Sequence, residues 1–477
     1  AGDRTVVNEL RLVSGTLDLD DDAGTAGVAS DLTVSNSTLT VTAGEVEGDG
    51  AGDLLFTNPP DAVFNVNTAY TASASDLLGN LPTLASLTVT RSVNGANAIL
   101  TWPATTTVTG ATTIRNNVTL SGTLNAQGNV AISTDTGFAL ATAPAIAGAG
   151  TLNMTGATAQ TLSGAGFGTV SFNNAAGVTT TGAVTANNVT LTQGVVTLGG
   201  NLTVGGAAPV ANNATTASAG NLTLTAGRIV TGTYAVILDH EHTGAQGFVR
   251  GAGASGCVEG RVRKLFDVTG AGGTGNASTA DRMVFPVCDA AGNYRPAAFT
   301  FTTPQSLTIG NWIQVSHLDG LPGGGNGMPF DATDASDTAY SVARYAPFSW
   351  FAQMNFNEQA GVTYDVELRA GGYSAFTGEN IERVRNIRRL AGLNTNFWSI
   401  LVAGAGGNDN WAASVTEPIS VSRGALGLLI GGGTSGNEGT LFTMGLESNM
   451  TVTNPAAVAI NAGSTVDVNL ANVFAQG

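Results

Sequence analysis

Lysine occurs once in 477 residues, at Lys264, and charged residues of all kinds make up only 11% of the chain. A globular protein usually carries about 25%. The 18 basic residues are outnumbered by 34 acidic ones, giving a formal charge of −16. A nucleic-acid binder needs a basic surface to neutralise phosphates, so that class is excluded. No apolar run reaches the roughly 18 residues that a membrane-spanning helix requires, so no span is expected. Heptads are absent, which excludes a coiled coil. The glycines have no three-residue period, which excludes collagen. No Gly-x-Ser-x-Gly, His-Glu-x-x-His or Walker-type sequence occurs. Cysteine appears twice, at Cys257 and Cys288. The pair can form one disulfide in an oxidising compartment or remain as two buried thiols.

What is abundant is glycine, with 65 residues, and apolar residues at 43% of the chain. Glycine is at about twice its usual share. The mean hydropathy of +0.16 excludes simple disorder and supplies a large core. The chain begins at Ala1 with no Met and no charged-then-apolar leader, which reads as an exported protein with its signal peptide removed. Charge is unevenly placed: between Leu77 and Leu238 only Arg91, Arg115, Asp135 and Arg228 are charged. Such a stretch needs another covering: a Thr, Ser and Asn surface, glycans, or burial against other copies. Acceptor sequences of the Asn-x-Ser/Thr type stand at Asn117, Asn153, Asn188, Asn201 and Asn221, and also at Asn36, Asn213, Asn276 and Asn449.

Short apolar/Thr/apolar strands recur through the N-terminal half, separated by Gly, Asn and Ala turns. Asn-Asn-Val-Thr-Leu occurs at 116–120 and again at 187–191. Leu87-Thr-Val89 resembles Val170-Ser-Phe172, and Leu54-Leu-Phe56 resembles Leu152-Asn-Met154. These similarities suggest two related copies, 52–147 and 148–246. Repetition at short, irregular spacing implies stacked rungs, as in a β-solenoid; a string of β-sandwiches is the competing reading. Near Gly247 aromatics and Arg become common, and four of the five Trp follow: Trp312, Trp350, Trp398 and Trp411. The fold expected is therefore all-β, with a repetitive β-solenoid-like half followed by a β-sandwich-type domain. Its parts are 1–51 (N-terminal strands and an acidic turn), 52–246 (rungs), 247–448 (sandwich) and 449–477 (a strand tail). One short, Arg-rich segment, Asn380 to Leu390, reads as a helix.

Three stretches resemble the large repetitive surface proteins that Bacteroidota-type bacteria export, often by type IX secretion. Gly148 to Gly205 is similar to their repeated Gly-x-Leu-x-Phe-x-Gly…Leu-Thr-Leu…Gly rungs. Gly247-Phe-Val-Arg-Gly251 through Pro296 is similar to their Phe-Pro-Val-Gly…Tyr-Arg-Pro stretch. Tyr345 to Met444 is similar to their closing sandwich. The resemblance implies adhesion or surface structure rather than a particular chemistry. Cys288 stands where those proteins carry Gly, which favours a local disulfide with Cys257. No C-terminal sorting domain of their kind is recognisable.

Candidate sites are few. Asp18, Asp20 and Asp22 alternate onto one side of an extended segment, a spacing that suits Ca²⁺; the competing reading is a solvated acidic turn. Asp331, Asp334 and Asp337 form a looser cluster. His240 and His242 can share a strand face, with His317 as a third zinc ligand; solvent-facing histidines are the alternative. The two Gly-x-Gly-x-x-Gly matches, 251–256 and 270–275, read as hairpin loops. Lys264 is compatible with a crosslink to Asn or Asp, as in surface filaments, and equally with a bias toward Arg.

The tail alternates apolar residues: Val458 and Ile460, then Val466, Val468 and Leu470, and finally Val473. Asp467 and Asn469 point the other way, as in a half-buried strand added to another subunit's sheet; docking onto the chain's own sandwich fits the same pattern, and Thr5 to Leu19 is the rival donor strand. The function expected is a structural subunit of an extracellular surface filament, a homopolymer joined by non-covalent strand addition and needing no cofactor beyond Ca²⁺. The alternative is a monomeric cell-surface adhesin that binds glycan or protein through the C-terminal β-domain. A solenoid enzyme is disfavoured, because the rungs lack clustered Asp, Arg or Lys.

Overall fold

In the computed structural model, side chains are described for residues 58–65, 83–91, 99–100, 105–116, 118–120, 122–134, 145–146, 151–164, 166–205, 221–238, 247–265, 283–300, 311–321, 345–355, 364–375 and 439–445; further strands are described by backbone pairing. The described residues form strands and turns, with no helix among them. The chain divides into two compact units. The first is Ala1–Ala208 with Ser218–Asp239 and Gly247–Cys257; the second is Pro209–Ala217 and His240–Gln246 with Val258–Gly477.

The first unit is a parallel stack of rungs. One sheet runs through Ala98–Val108, Val118–Ala126, Ala145–Met154, Phe167–Asn173 and Val184–Gln193, every pair parallel. A register shift splits the long strands into two segments, for example between Leu120 and Thr123. Each rung therefore presents two faces here. Leu202–Val204 and Leu222–Leu224 then continue these faces as separate strands. A second parallel sheet supplies the third face, through Ser86–Thr90, Thr112–Arg115, Val130–Ser133, Gln160–Ser163, Val178–Thr180, Val195–Thr197 and Arg228–Val230.

Alternation drives this packing. In Val118–Ala126 the side chains of Val118, Leu120, Leu124 and Ala126 are fully buried, while Thr119, Thr123 and Asn125 lie on the outer side. Leu124, Leu152, Val170 and Val189 stack in register, so the repeating unit is a rung of 28, 18 or 19 residues. The similar segments noted in the sequence occupy different faces. Val118-Thr-Leu120 lies on the first face and Val189-Thr-Leu191 on the second. Leu87–Val89 belongs to the second sheet, whereas Val170–Phe172 belongs to the first. An apolar/Thr/apolar triplet suits any buried-side-inward strand, so local likeness does not fix the face.

Two devices close the corners. Asn116 adopts a left-handed conformation (φ 63°), which Asn tolerates better than most residues, and its Nδ2 donates to the Arg91 carbonyl at 2.9 Å. Gly194 and Gly227, with φ of 83° and 87°, stack at another corner. A Cβ on Gly194 would strike the Asn174 carbonyl oxygen, and one on Gly227 would strike that of Gly194. Inside the stack, Gln160 joins three rungs. Its Nε2 donates to the Ala126 and Gly128 carbonyls at 2.9 and 2.6 Å. Its Oε1 accepts from the Gly156 amide at 3.0 Å and from Asn174 Nδ2 at 2.8 Å.

The second unit is built from antiparallel sheets. One contains Arg261–Phe266, Trp312–Leu318, Ser349–Met354 and Thr440–Ser448. The other is five-stranded, including Met283–Phe285, Ala297–Phe301, Thr363–Arg369 and Ile419–Leu426. Phe299 of the five-stranded sheet meets Phe442 of the other with ring centroids 5.6 Å apart, so the sheets face each other across an aromatic core. The helix expected at Asn380 to Leu390 is not formed: Val384–Leu390 is a strand paired along its length with Thr440–Ser448. A helix that short is marginal by itself, and the ladder supplies hydrogen bonds that an isolated turn of helix could not retain.

Candidate functional site

The first unit carries an outward array on its second face. Thr105, Thr123, Thr151, Thr169 and Asn188 stand in register as one column. Two residues further along each strand, Thr107, Asn125, Asn153, Ser171 and Thr190 form a second column, which continues to Thr223. All are hydroxyl or amide side chains; none is charged. They are tied laterally: Asn153 Nδ2 donates to Asn125 Oδ1 at 2.9 Å, and the Asn221 amide donates to Asn188 Oδ1 at 3.2 Å. Asn201 behaves alike on the first face, where its Oδ1 accepts from the Ala235 amide at 3.0 Å. Of the glycan acceptor sequences, Asn153 thus bonds to the neighbouring rung through its amide nitrogen, and Asn188 and Asn201 through their side-chain oxygens. Asn117 lies outside the described residues.

The second unit holds a buried charged cluster that no sequence motif announces. Asp289 and Arg295 flank the turn before Ala297–Phe301; His317 lies in Trp312–Leu318 and Asp319 just after it. The Arg295 guanidinium is held on all sides. Nη2 pairs with Asp289 Oδ2 at 2.9 Å, Nε donates to the Gly371 carbonyl at 3.0 Å, and Nη1 donates to His317 Nε2 at 3.2 Å. Its carbon sits 3.9 Å from the Phe348 ring centroid, a cation–π contact. Trp350 Nε1 donates to the Arg295 carbonyl at 2.6 Å.

Guanidinium has only donors, so His317 Nε2 must accept and the ring proton sits on Nδ1, 3.3 Å from Asp319 Oδ1. Burial, reinforced by the Arg295 charge, lowers the His317 pKa from 6.5 to about 4. Burial raises the Asp289 pKa, but two hydrogen bonds from Asn293 and the nearby Arg295 and His317 outweigh it and hold the carboxyl below its ordinary value. Burial also lowers Arg295, opposed by Asp289. The cluster clamps one sheet to the other, because Arg295 and Gly371 border the five-stranded sheet while His317 and Trp350 belong to its partner and Phe348 immediately precedes the partner strand Ser349–Met354.

The sequence-derived candidates divide clearly. Cys257 and Cys288 are joined in a disulfide, both ends buried. His317 is not free to be a zinc ligand with His240 and His242, since both its nitrogens are engaged in the clamp. The loop 251–256 is not a hairpin: it links Phe248–Val249, paired on the second face, to Cys257, whose amide donates to the Gly227 carbonyl at 3.3 Å. Arg250 Nε closes it by donating to the Gly256 carbonyl at 3.0 Å. Lys264 is fully buried, its ammonium 5.5 Å from the Phe285 ring centroid. Asp18 ends the strand Thr16–Asp18; its side chain, together with Asp20, Asp22, Asp334, Asp337 and the tail residues Val458, Ile460, Val466, Val468, Leu470 and Val473, lies outside the described residues. Among the described residues no three His, Cys, Asp or Glu side chains converge as a metal site, and no helix is long and apolar enough to cross a membrane. No protein family, characterised protein or solved structure matches this chain.

Proposed function

We propose that the protein is a structural subunit of an extracellular surface filament, joined to its neighbours by strand addition. The observation that carries this reading is the in-register parallel stacking of the rungs, in which each strand is bound to the next by backbone ladders and an apolar inner row. A strand from another copy can be added by the same rule. We assign the donor to the tail, Val458 to Val473, whose apolar residues alternate. About five inward side chains, at roughly 1.5–3 kcal/mol each, give on the order of 10 kcal/mol before ordering costs. A head-to-tail exchange does not close on itself and so makes a fibre. The disulfide suits an oxidising, extracellular setting.

The test is a chain ending at Ser448 compared with the full chain. The shortened chain should stay folded and fail to polymerise, and a peptide spanning Val458 to Phe474 should bind it in trans. Filaments of normal length from the shortened chain would remove the tail as donor. Unfolding of the shortened chain as a monomer would place the tail in its own domain.

A further inference from the structure

We propose that the two-column hydroxyl and amide face of the first unit is a lateral contact between copies of this chain. The inference does not need strand addition: copies meet side by side whether or not they are joined end to end.

Charge permits contact at this face. Each copy carries −16 overall, so two copies repel across most approaches. The columns from Thr105 to Thr223 carry no charge at all. Of the four charged residues between Leu77 and Leu238, Arg115 and Arg228 belong to strands of the second sheet, Arg91 is buried, and Asp135 lies outside the described residues. These uncharged columns are a surface across which two acidic copies can approach with little repulsion.

Chemistry makes the face complementary to itself. Thr, Ser and Asn side chains each donate and accept hydrogen bonds, so a second copy facing it across a two-fold axis offers partners for every group. The repeat is regular, with neighbouring strands roughly 4.8 Å apart and alternate residues roughly 6.7 Å apart. Alignment of one pair of rungs therefore aligns them all. The bond between Asn153 and Asn125 fixes those side chains in advance, which lowers the entropy lost on contact.

Area sets the strength. The columns cover roughly 300–400 Å² per copy by these spacings, whereas a stable complex buries about 800 Å² per partner. A single pair of copies should thus associate weakly and reversibly. Copies linked into a polymer present the face many times, and the contacts then act together as bundles.

The experiment is sedimentation velocity of the full chain from micromolar to millimolar concentration, beside a Thr169→Glu/Ser171→Glu chain and a Thr179→Glu control on the second sheet. Melting curves check that each chain is folded. The wild-type and control chains should show the same concentration-dependent association, and the double variant should associate at least tenfold more weakly. Equal weakening by the control, an unaffected double variant, or a wild-type chain monomeric throughout would each overturn the proposal. Should the double variant not fold, a Ser171→Cys chain replaces it. Oxidation should couple two such copies through position 171 and leave a Thr179→Cys chain uncoupled; the reverse pattern overturns the proposal. Electron microscopy separates this contact from strand addition. Single filaments of the double variant beside bundles of wild type support both readings, whereas association without filaments leaves the lateral contact standing alone.

Discussion

Acid should loosen the second unit through His317. In the folded chain this imidazole is buried, neutral, and accepts a hydrogen bond from Arg295. A proton added at Nε2 would set two cations 3.2 Å apart. The folded pKa lies at about 4, against an ordinary 6.5. The unfolded chain therefore takes up the proton first as pH falls. The stability contributed by the neutral ring is complete above about pH 6.5, declines between 6.5 and about 4, and has no further to fall from this group below that. At roughly 1.4 kcal/mol per pH unit the whole interval is worth about 3 kcal/mol. For a unit of this size that is roughly 6–12 °C in melting temperature. The other groups facing the ring act at different pH. Asp289, held below its ordinary value, loses its contribution only as pH falls through that lowered pKa. Thermal melts followed by tryptophan fluorescence at pH 7 and 4.5 would compare the wild type with His317→Gln, which cannot titrate. The wild type should lose several degrees more than the variant over that interval. Parallel losses in the two chains would refute the reasoning, because the proton would then be binding elsewhere.

Three further perturbations follow from the geometry. Reducing the Cys257–Cys288 bond opens a loop of about 30 residues and should cost roughly 3–4 kcal/mol in the chain-entropy view, read as a lower denaturation midpoint in reductant. Gln160→Ala strips four hydrogen bonds from a side chain whose residue is only 2% exposed. It should cost about 3 kcal/mol, since each partner left unsatisfied is worth about 1–3 kcal/mol; an unchanged urea midpoint would contradict the network. Gly194→Ala should destabilise the first unit by more than about 1 kcal/mol, because positive φ and the Asn174 carbonyl both oppose a Cβ, whereas the same change at Gly182, where an added Cβ meets nothing within 4 Å, should be nearly neutral.

The rungs were legible because their physics is local. Val118-Thr-Leu120 and Leu222-Thr-Leu224 alternate one apolar side and one polar side, and that pattern states strand, burial and spacing together. Which face each strand takes was not legible, since Val-Thr-Leu serves any of them; the register between rungs decides it. Val384–Leu390 misled for a related reason. Val384, Ile387 and Leu390 are spaced as on a helix, yet their partners in the strand Thr440–Ser448 lie 50 to 62 residues away in sequence (440 − 390 and 446 − 384), and the pairing overrides the local pattern. The Asp289–Arg295–His317 clamp left almost no trace. Its members are 22 and 28 residues apart from His317, they belong to different sheets, and only the sandwich brings them together. The outward columns were half visible: Thr and Asn at alternate positions were plain in each strand, but their alignment into an uncharged array depends on the stacking of rungs of unequal length.

The proposed assembly of filaments from stacked rungs by strand addition is open to cryo-electron microscopy of the purified full chain. Filaments are expected with an axial strand repeat of roughly 4.7–4.9 Å, in which density for Val458 to Val473 of one copy lies against a strand of the next. Separate particles at every concentration, or filaments in which each tail pairs only with its own chain, would contradict it.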